Sequence, residues 1–153
     1  MTINATRQLA CELIQKHVPE YTFKFTNSKI TFGECNYCKR IIAISRHLAI
    51  INDESVVKNT ILHEIAHALT PGCHHNRLWK VTARRIGCDG ERCYSAKKVN
   101  VPTANYVGIC PNCGRKIYRY RKRALACHKC CEKYNNAQFD ERYKFEWSKI
   151  KNI

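Results

Sequence analysis

The sequence of 153 residues lacks any apolar run that approaches the ~20 residues needed to span a bilayer. Its first residues lack the basic segment followed by an apolar segment that marks a secretion signal. Internal repeats and low-complexity stretches are missing as well. These absences exclude a helical membrane protein and a repeat protein. They predict a folded intracellular protein, cytoplasmic or located with the DNA in a nucleoid or nucleus.

Acidic residues are also scarce, because 12 Asp and Glu stand against 27 Lys and Arg, for a formal charge of +15. This balance favours a polyanionic partner, most often nucleic acid, although a soluble basic protein without such a ligand has the same composition. The charge is densest in residues 110–133, where eight basic residues accompany one glutamate. Any nucleic-acid interface is therefore expected in that segment.

Eleven cysteines are abundant for a chain in a reducing compartment, where paired cysteines bind metal more often than they form disulfides. Two Cys-x-x-Cys pairs separated by thirteen residues are typical of a structural zinc site, with a β-hairpin expected between them. Gly114 suits the tight turn of the first pair, and Cys131 competes with Cys130 as the last ligand. The predicted ligands are Cys110, Cys113, Cys127 and Cys130.

The remaining cysteines give a weaker signal. Cys35 and Cys38 form another closely spaced pair, and Cys88 and Cys93 bracket a loop. These four could share a further zinc ion, but buried or free thiols are the simpler interpretation. Cys11 is expected to pack in the core beneath the first helix.

Hydrophobic periodicity predicts an α+β fold. Apolar residues at helical spacing predict a helix over 4–17, one that starts near Asn52 and Asp53 and ends at 70–72, and one over 76–86. Alternating residues in 21–27, 29–34 and 40–45 predict three short strands in a small antiparallel sheet. In the tail, the spacing of Phe139, Tyr143, Trp147 and Ile150 predicts a short amphipathic helix.

The second helix contains the sequence HEIAH. His63 and His67 are four residues apart, so both imidazoles can point at one ion, with Glu64 beside it as a general base. A catalytic zinc needs a third ligand. Nearby candidates are Cys73, His74 and His75, and Glu91 is a weaker one. The alternative is a core helix whose surface carries two histidines by chance.

Three stretches together resemble the SprT-like zinc metalloprotease family: HEIAHAL, then Gly72-x-x-His75-x-x-x-Trp79, then ARRIG. The preceding RIIAISRHLAIIN resembles the strand that leads into the family's active-site helix, and the resemblance covers residues 4–131. It implies that His75 is the third zinc ligand. It also implies a zincin-like protease domain over 1–108 and a zinc ribbon over 109–133, which leaves 134–153 as a tail.

The basic segment KIYRYRKR lies within the predicted ribbon. In a strand Tyr118 and Tyr120 would share one face, and stacking rings beside cations suit single-stranded nucleic acid. The alternative is that the tyrosines pack against the protease domain and the cations are merely solvated. The predicted contacts are Arg115, Lys116, Tyr118, Arg119, Tyr120, Arg121, Lys122 and Arg123.

The sequence therefore predicts a zinc metallopeptidase with one catalytic and one structural Zn²⁺. The resemblance implies that it cleaves proteins bound or crosslinked to DNA. The alternative function is that of a non-catalytic, zinc-containing nucleic-acid-binding protein, in which the histidine site is vestigial.

Overall fold

A computed structural model describes residues 1–92 and 99–150 of the chain. The chain folds into two compact units, Met1–Pro102 and Thr103–Ile153. Each unit combines helices with a three-stranded sheet, so the fold class is α+β, as the sequence predicts. The division falls before residue 108, and the tail belongs to the second unit together with the cysteine-rich segment.

The first unit contains four helices and three strands. The helices are α1 (Ile3–His17), α2 (Arg46–Ile51), α3 (Glu54–Leu69) and α4 (Arg77–Arg85). The strands are β1 (Thr22–Thr26), β2 (Gly33–Asn36) and β3 (Ile41–Ser45). The predictions of α1, α3 and α4 are confirmed, because apolar residues on one face and capping residues such as Asn76 mark them clearly. The short helix α2 was not predicted.

The sheet of the first unit has the order β1-β3-β2 and is mixed. β2 and β3 are antiparallel, but β1 and β3 run parallel, with Phe23 opposite Ile42. The prediction of an antiparallel sheet is wrong because it paired strands in chain order. β3 instead lies between β1 and β2, antiparallel to β2 and parallel to β1.

The predicted strand over residues 29–34 is also corrected. The Ser28 hydroxyl accepts hydrogen bonds from the backbone N–H groups of Ile30 and Thr31, which folds this segment into a turn. Ile30 is 80% exposed while Phe32 is buried, and strand pairing begins only at Gly33. The alternation that resembled a strand comes from a single buried aromatic ring beside a turn.

The core of the first unit lies between the sheet and the helices. β3 is the central strand, and its isoleucines Ile42 and Ile44 are fully buried. They pack with Val57, Ile61 and Ile65 of α3, which are equally inaccessible to solvent. α3 is thus a core helix, and this burial fixes the orientation of any functional side chain that it carries.

The second unit contains β4 (Tyr106–Ile109), β5 (Lys116–Arg119), helix α5 (His128–Tyr134), a 3₁₀ turn (Glu141–Tyr143) and β6 (Glu146–Lys149). Its sheet is antiparallel in the order β5-β4-β6. The predicted hairpin between the two cysteine pairs is not found. β5 alone lies there, and its partner β4 precedes Cys110, so the β4–β5 hairpin encloses the first pair instead.

The predicted amphipathic helix in the tail is wrong, because residues 146–149 form β6. Trp147 lies opposite Gly108 and its ring covers that residue so closely that a Cβ there would be 3.0 Å from the ring. Its indole N–H donates to the carbonyl of Arg123 at 2.9 Å. Pairing with β4 satisfies the backbone of a strand that would otherwise form a sheet edge. This long-range pairing overrides the helical spacing of the aromatic residues.

Candidate metal centres

The first candidate site begins on α3. Asp53 precedes the helix as its N-cap residue and Glu54 lies in its first turn, where a negative charge favours the helix dipole. His63 and His67 project from successive turns toward the same side, with their Nε2 atoms 3.2 Å apart. Because the helix is buried on most of its surface, the two imidazoles lie at the edge of the core rather than in open solvent.

The turn after α3 supplies the third histidine. The Thr70 hydroxyl donates to the carbonyl of Ala66 at 2.7 Å and closes the helix. Gly72 and His74 then adopt positive φ values of 76° and 47°, which reverse the chain direction. His75 follows, and its Nε2 atom lies 3.1 Å from those of both His63 and His67. The turn thus brings His75 to the pair, while His74 is exposed.

The three nitrogens fit a zinc ion. Tetrahedral ligands at a Zn–N distance of 2.0–2.1 Å are separated by about 3.3–3.4 Å, close to the separations found here. Three donors leave a fourth position for water or substrate, as in catalytic sites. Among the described residues Cys73, His74 and Glu91 do not belong to this cluster. The geometry therefore favours His75 among the candidates that the sequence left open.

The electrostatics of the cluster also suit metal binding. Burial lowers the pKa of His63 and of His67 to about 4, with mutual repulsion among the imidazoles as the next cause. The pKa of His75 is lowered for the same first reason. Neutral imidazoles keep the lone pair that a metal ligand donates. The site is therefore ready to bind a cation near neutral pH without first releasing protons.

Trp79 supports all three histidines. It is fully buried on α4, and its ring centroid lies 4.6–5.2 Å from the three imidazole centroids. Sequence reasoning used Trp79 only as a marker of family resemblance and missed this packing role. Helical spacing gives no signal for this role, because His75 lies in the turn before α4 whereas Trp79 lies within that helix.

Glu64 is the next residue after His63 and is only 8% exposed. Burial, followed by the charge of Glu34 on β2, raises the pKa of its carboxyl group to about 8. A carboxyl group whose pKa lies near neutrality can both accept and release a proton in that range. A cation held by the neighbouring imidazoles would favour the ionised carboxylate, which is the form in which a general base accepts a proton.

The second candidate site is built from the two cysteine pairs. The Sγ atoms of Cys110 and Cys130 are 3.8 Å apart, and those of Cys113 and Cys127 are 3.7 Å apart. Tetrahedral zinc with Zn–S bonds of 2.3 Å separates its ligands by about 3.8 Å. All four sulfurs cluster together and three of the residues are buried. Cys131 is buried beside them but does not join the cluster, so the predicted ligand set fits the structure.

Local backbone geometry explains how these cysteines meet. Gly114 has φ of 67°, and its N–H donates to the carbonyl of Cys110, which forms the tight turn expected at the first pair. The second pair starts α5, with Cys127 as its N-cap and Cys130 in its first turn. The hydrophobic cluster around them includes Tyr143 and Phe145. In such a small core a bound metal would be a major source of folding free energy.

The other cysteines are scattered. Cys35 is half-buried, and its burial raises the pKa of the thiol to about 12, while Cys38 is exposed. Cys88 is buried and Cys93 lies outside the described residues. Within the described ranges no third group of metal-binding side chains forms. The expectation that Cys11 packs in the core is wrong, since it is exposed on α1.

The predicted nucleic-acid contacts lie on or after β5, with Arg115 just before it. The structure exposes seven of them: Arg115, Lys116, Tyr118, Arg119, Arg121, Lys122 and Arg123. Tyr120 is half-buried and lies beyond the end of the strand, so the two tyrosines do not form a pair within it.

The sheet of the second unit also brings an unpredicted ring close to these cations. Tyr106 lies opposite Arg119 on one neighbouring strand and Lys149 on the other. The ammonium group of Lys122 is 5.5 Å from its ring centroid. Strand pairing across sequence gaps creates this arrangement, so no local sequence signal could reveal it.

In the portion of the chain that the structure describes, no helix is both long and apolar enough to cross a bilayer.

The first unit resembles a known protein family. The sequence profile of the SprT-like family matches residues 3–103, which include the three histidines and Glu64 but not the four-cysteine cluster. No curated protein and no solved structure shows significant similarity to the chain. The family match points to a metalloprotease-type function, and the two clusters could each hold a metal ion. Because the match covers most of the chain, the protein belongs to the SprT-like family.

Proposed function

We propose that the protein is a zinc-dependent peptidase whose active site consists of His63, His67, His75 and Glu64. The observation that carries the proposal is the convergence of three imidazole nitrogens, 3.1–3.2 Å apart, beside a buried carboxyl group. Family membership supports the same chemistry. A vestigial site would have no need to retain either the ligand geometry or the glutamate.

Zinc bound by the three imidazoles would supply Lewis acidity, which polarises the scissile carbonyl and makes water more acidic. The Glu64 carboxylate accepts a proton from the attacking water as the oxygen bonds to the carbonyl carbon. Glu64 then returns this proton to the amide nitrogen as the carbon–nitrogen bond breaks. The products are a carboxylic acid and an amine, and Glu64 is regenerated.

Imidazoles that donate their Nε2 lone pairs to a zinc ion could not also take up a proton at that atom, so Glu64 would be the residue that carries the proton. Trp79 packs against every ligand ring and restricts their rotation. Ligands held in one orientation present the same coordination geometry at each turnover. We therefore assign Trp79 a supporting role rather than a chemical one.

We further propose that the second unit holds a structural zinc and brings the peptidase to single-stranded DNA, so that the substrates are DNA-associated proteins, including crosslinked ones. Support comes from the exposed cations around β5 and from Tyr118, which is 58% exposed. Bases can stack on such a ring while the cations bind phosphates.

The decisive experiment is proteolysis of a basic DNA-binding protein by the zinc-loaded chain, with and without single-stranded DNA. We expect cleavage that increases when DNA is present and that stops in the Glu64→Gln variant. Cleavage at equal rates by the variant would contradict the peptidase assignment. Tight DNA binding without any cleavage would favour a nucleic-acid-binding protein instead.

A further inference from the structure

The carboxyl group of Glu64 lies directly against the backbone of Gly33, the first residue of β2. A Cβ atom built on Gly33 would lie 2.5 Å from Oε1, 2.7 Å from Cγ and 2.9 Å from Cδ of Glu64. Real Cβ atoms essentially never approach other heavy atoms closer than 3.0 Å. Any other residue at position 33 must therefore displace either the strand or the glutamate side chain.

The strand is poorly placed to move. Gly33 pairs with Ile44 of the central strand, and the preceding carbonyl of Phe32 accepts a hydrogen bond from the N–H of Ser45 at 2.7 Å. Ile44 is fully buried. A shift of the strand away from α3 would break this pairing beside the core. A side chain at position 33 would therefore displace the glutamate side chain rather than the strand.

The overlap with a Cβ atom at position 33 cannot be relieved while the Glu64 carboxyl group stays in place. Three of its side-chain atoms, including Cγ near the backbone, fall within the forbidden distance, so a rotation of the terminal carboxylate alone does not relieve the overlap. Glu64 is buried, and the helix that carries it is held in the core by Ile61 and Ile65, which are fully buried. Gly33 has ordinary extended backbone geometry, so its requirement is for space and not for a positive φ.

We infer that Gly33 is a positioning residue of the active site: its bare backbone forms the wall that sets where the Glu64 carboxylate sits. This inference rests on the proposed peptidase function. It also assigns a role to an edge strand that sequence reasoning regarded only as part of a sheet. A misplacement of about 1 Å in a catalytic group can cost on the order of 10²-fold in rate.

The test uses the full zinc-loaded chain and the variant Gly33→Ala. We expect kcat to fall by about 10²-fold while KM changes little and both zinc ions remain bound. The matched control is Gly108→Ala, where the new methyl group would crowd the ring of Trp147 in the other unit. This control should lose thermal stability but keep the kcat of the wild type. An unchanged kcat in Gly33→Ala would overturn the inference.

A thermal double-mutant cycle provides a readout that does not depend on activity. Gly33→Ala should lower the Tm of the wild type by about 4–8 °C or more, as overpacking does. In a Glu64→Ala background the same substitution should cost almost nothing, because the overlapping atoms have been removed. If Gly33→Ala alone fails to fold, recovery of folding in the double variant still supports the contact. Equal losses in both backgrounds, or a double variant that also fails to fold, would overturn it.

The outcomes separate this inference from the proposed function. A peptidase that Glu64→Gln inactivates but Gly33→Ala does not would refute only the positioning role. A wild-type chain without any peptidase activity would refute the proposed function and the catalytic meaning of Gly33 together. The thermal cycle would then still decide whether the two residues are in contact.

Discussion

His63 and His67 share one helix, whereas His75 arrives from the turn that follows it. The spacing of the first two alone places them on one face, since any helix does so. His75 depends on the left-handed conformations of Gly72 and His74, which turn the chain back toward α3. At the scale of the residue, helix spacing thus places the first two histidines, and the turn that contains Gly72 and His74 places the third.

Replacement of Glu64 by Gln should abolish peptide hydrolysis while both zinc ions remain bound. The substitution keeps the size of the side chain and removes the group that accepts the proton, a loss on the order of 10²–10⁴-fold in rate. Steady-state kinetics on a protein substrate, together with metal analysis, provide the measurement. Full activity in the variant would show that another group carries the proton.

The variants His75→Ala and His74→Ala form a matched pair for the third ligand. His75→Ala should strongly reduce occupancy of the catalytic zinc, because only its Nε2 atom reaches the other two histidines. His74→Ala should leave occupancy near that of the wild type. Zinc content after dialysis against a weak chelator distinguishes them. Equal losses, or a loss with His74→Ala alone, would contradict the assignment.

At the scale of elements, β4 and β5 place two tyrosines on opposite faces of one small sheet. Tyr106 lies opposite Arg119, and Tyr118 lies opposite Val107, so the alternation of side chains separates the two rings. Tyr118 is exposed, whereas Tyr106 is half-buried with Lys122 over its ring. A base that stacks on one ring would therefore not contact the other ring.

We expect Tyr118→Leu to weaken binding of single-stranded DNA by roughly 1–3 kcal/mol, the usual contribution of one stacked base. The slope of log affinity against log salt should stay the same, since no charge is removed. Fluorescence titration with a labelled oligonucleotide at several salt concentrations measures both quantities. The matched variant Tyr106→Leu should have a smaller effect. The reverse order would place the interface on the opposite face of the sheet.

At the scale of the whole molecule, the chain contains two candidate metal sites of different character. The histidine cluster lies at the edge of a core that the first unit builds from apolar side chains. The cysteine cluster supplies three of the six buried residues in the core of the second unit. Metal loss should consequently have different effects in the two units.

Cys130→Ser should reduce the zinc content from two ions per chain to one and unfold the second unit. The metal supplies much of the folding free energy of such small modules. Cys131→Ser is the control, because its sulfur lies outside the cluster and both ions should remain.

His67→Ala should also lose one ion, but with little loss of secondary structure. Metal analysis and circular dichroism provide the measurements. Unfolding by His67→Ala to the same extent would contradict this division of roles.

The excess of basic charge around β5 should determine the salt dependence of DNA binding. Each lost phosphate contact flattens the slope by about 0.7 on a single strand, so Ala at Arg119, Arg121 and Arg123 together should reduce it by up to about 2. A control variant with Ala at Lys16, Lys39 and Lys58 removes the same charge from exposed positions of the first unit. If the control reduces the slope equally, binding depends on overall charge rather than on this segment.

The sequence by itself determined the candidate metal ligands and the main helices of this protein. Both follow from short-range rules, since a zinc ligand set is recognised by chemical type and spacing, and an amphipathic helix by its period. It also placed Glu64 beside its histidines. It could not choose among Cys73, His74 and His75 from spacing alone, because that choice depends on the backbone conformation of a turn.

Only the tertiary structure decided the features that join distant segments. The parallel pairing of β1 with β3 and the strand at 146–149 both arise because a strand takes the partner that buries its side chains and satisfies its backbone. The wall that Gly33 provides for Glu64 belongs to the same class. Contacts between residues far apart in the chain leave no local pattern, so packing and not periodicity determined them.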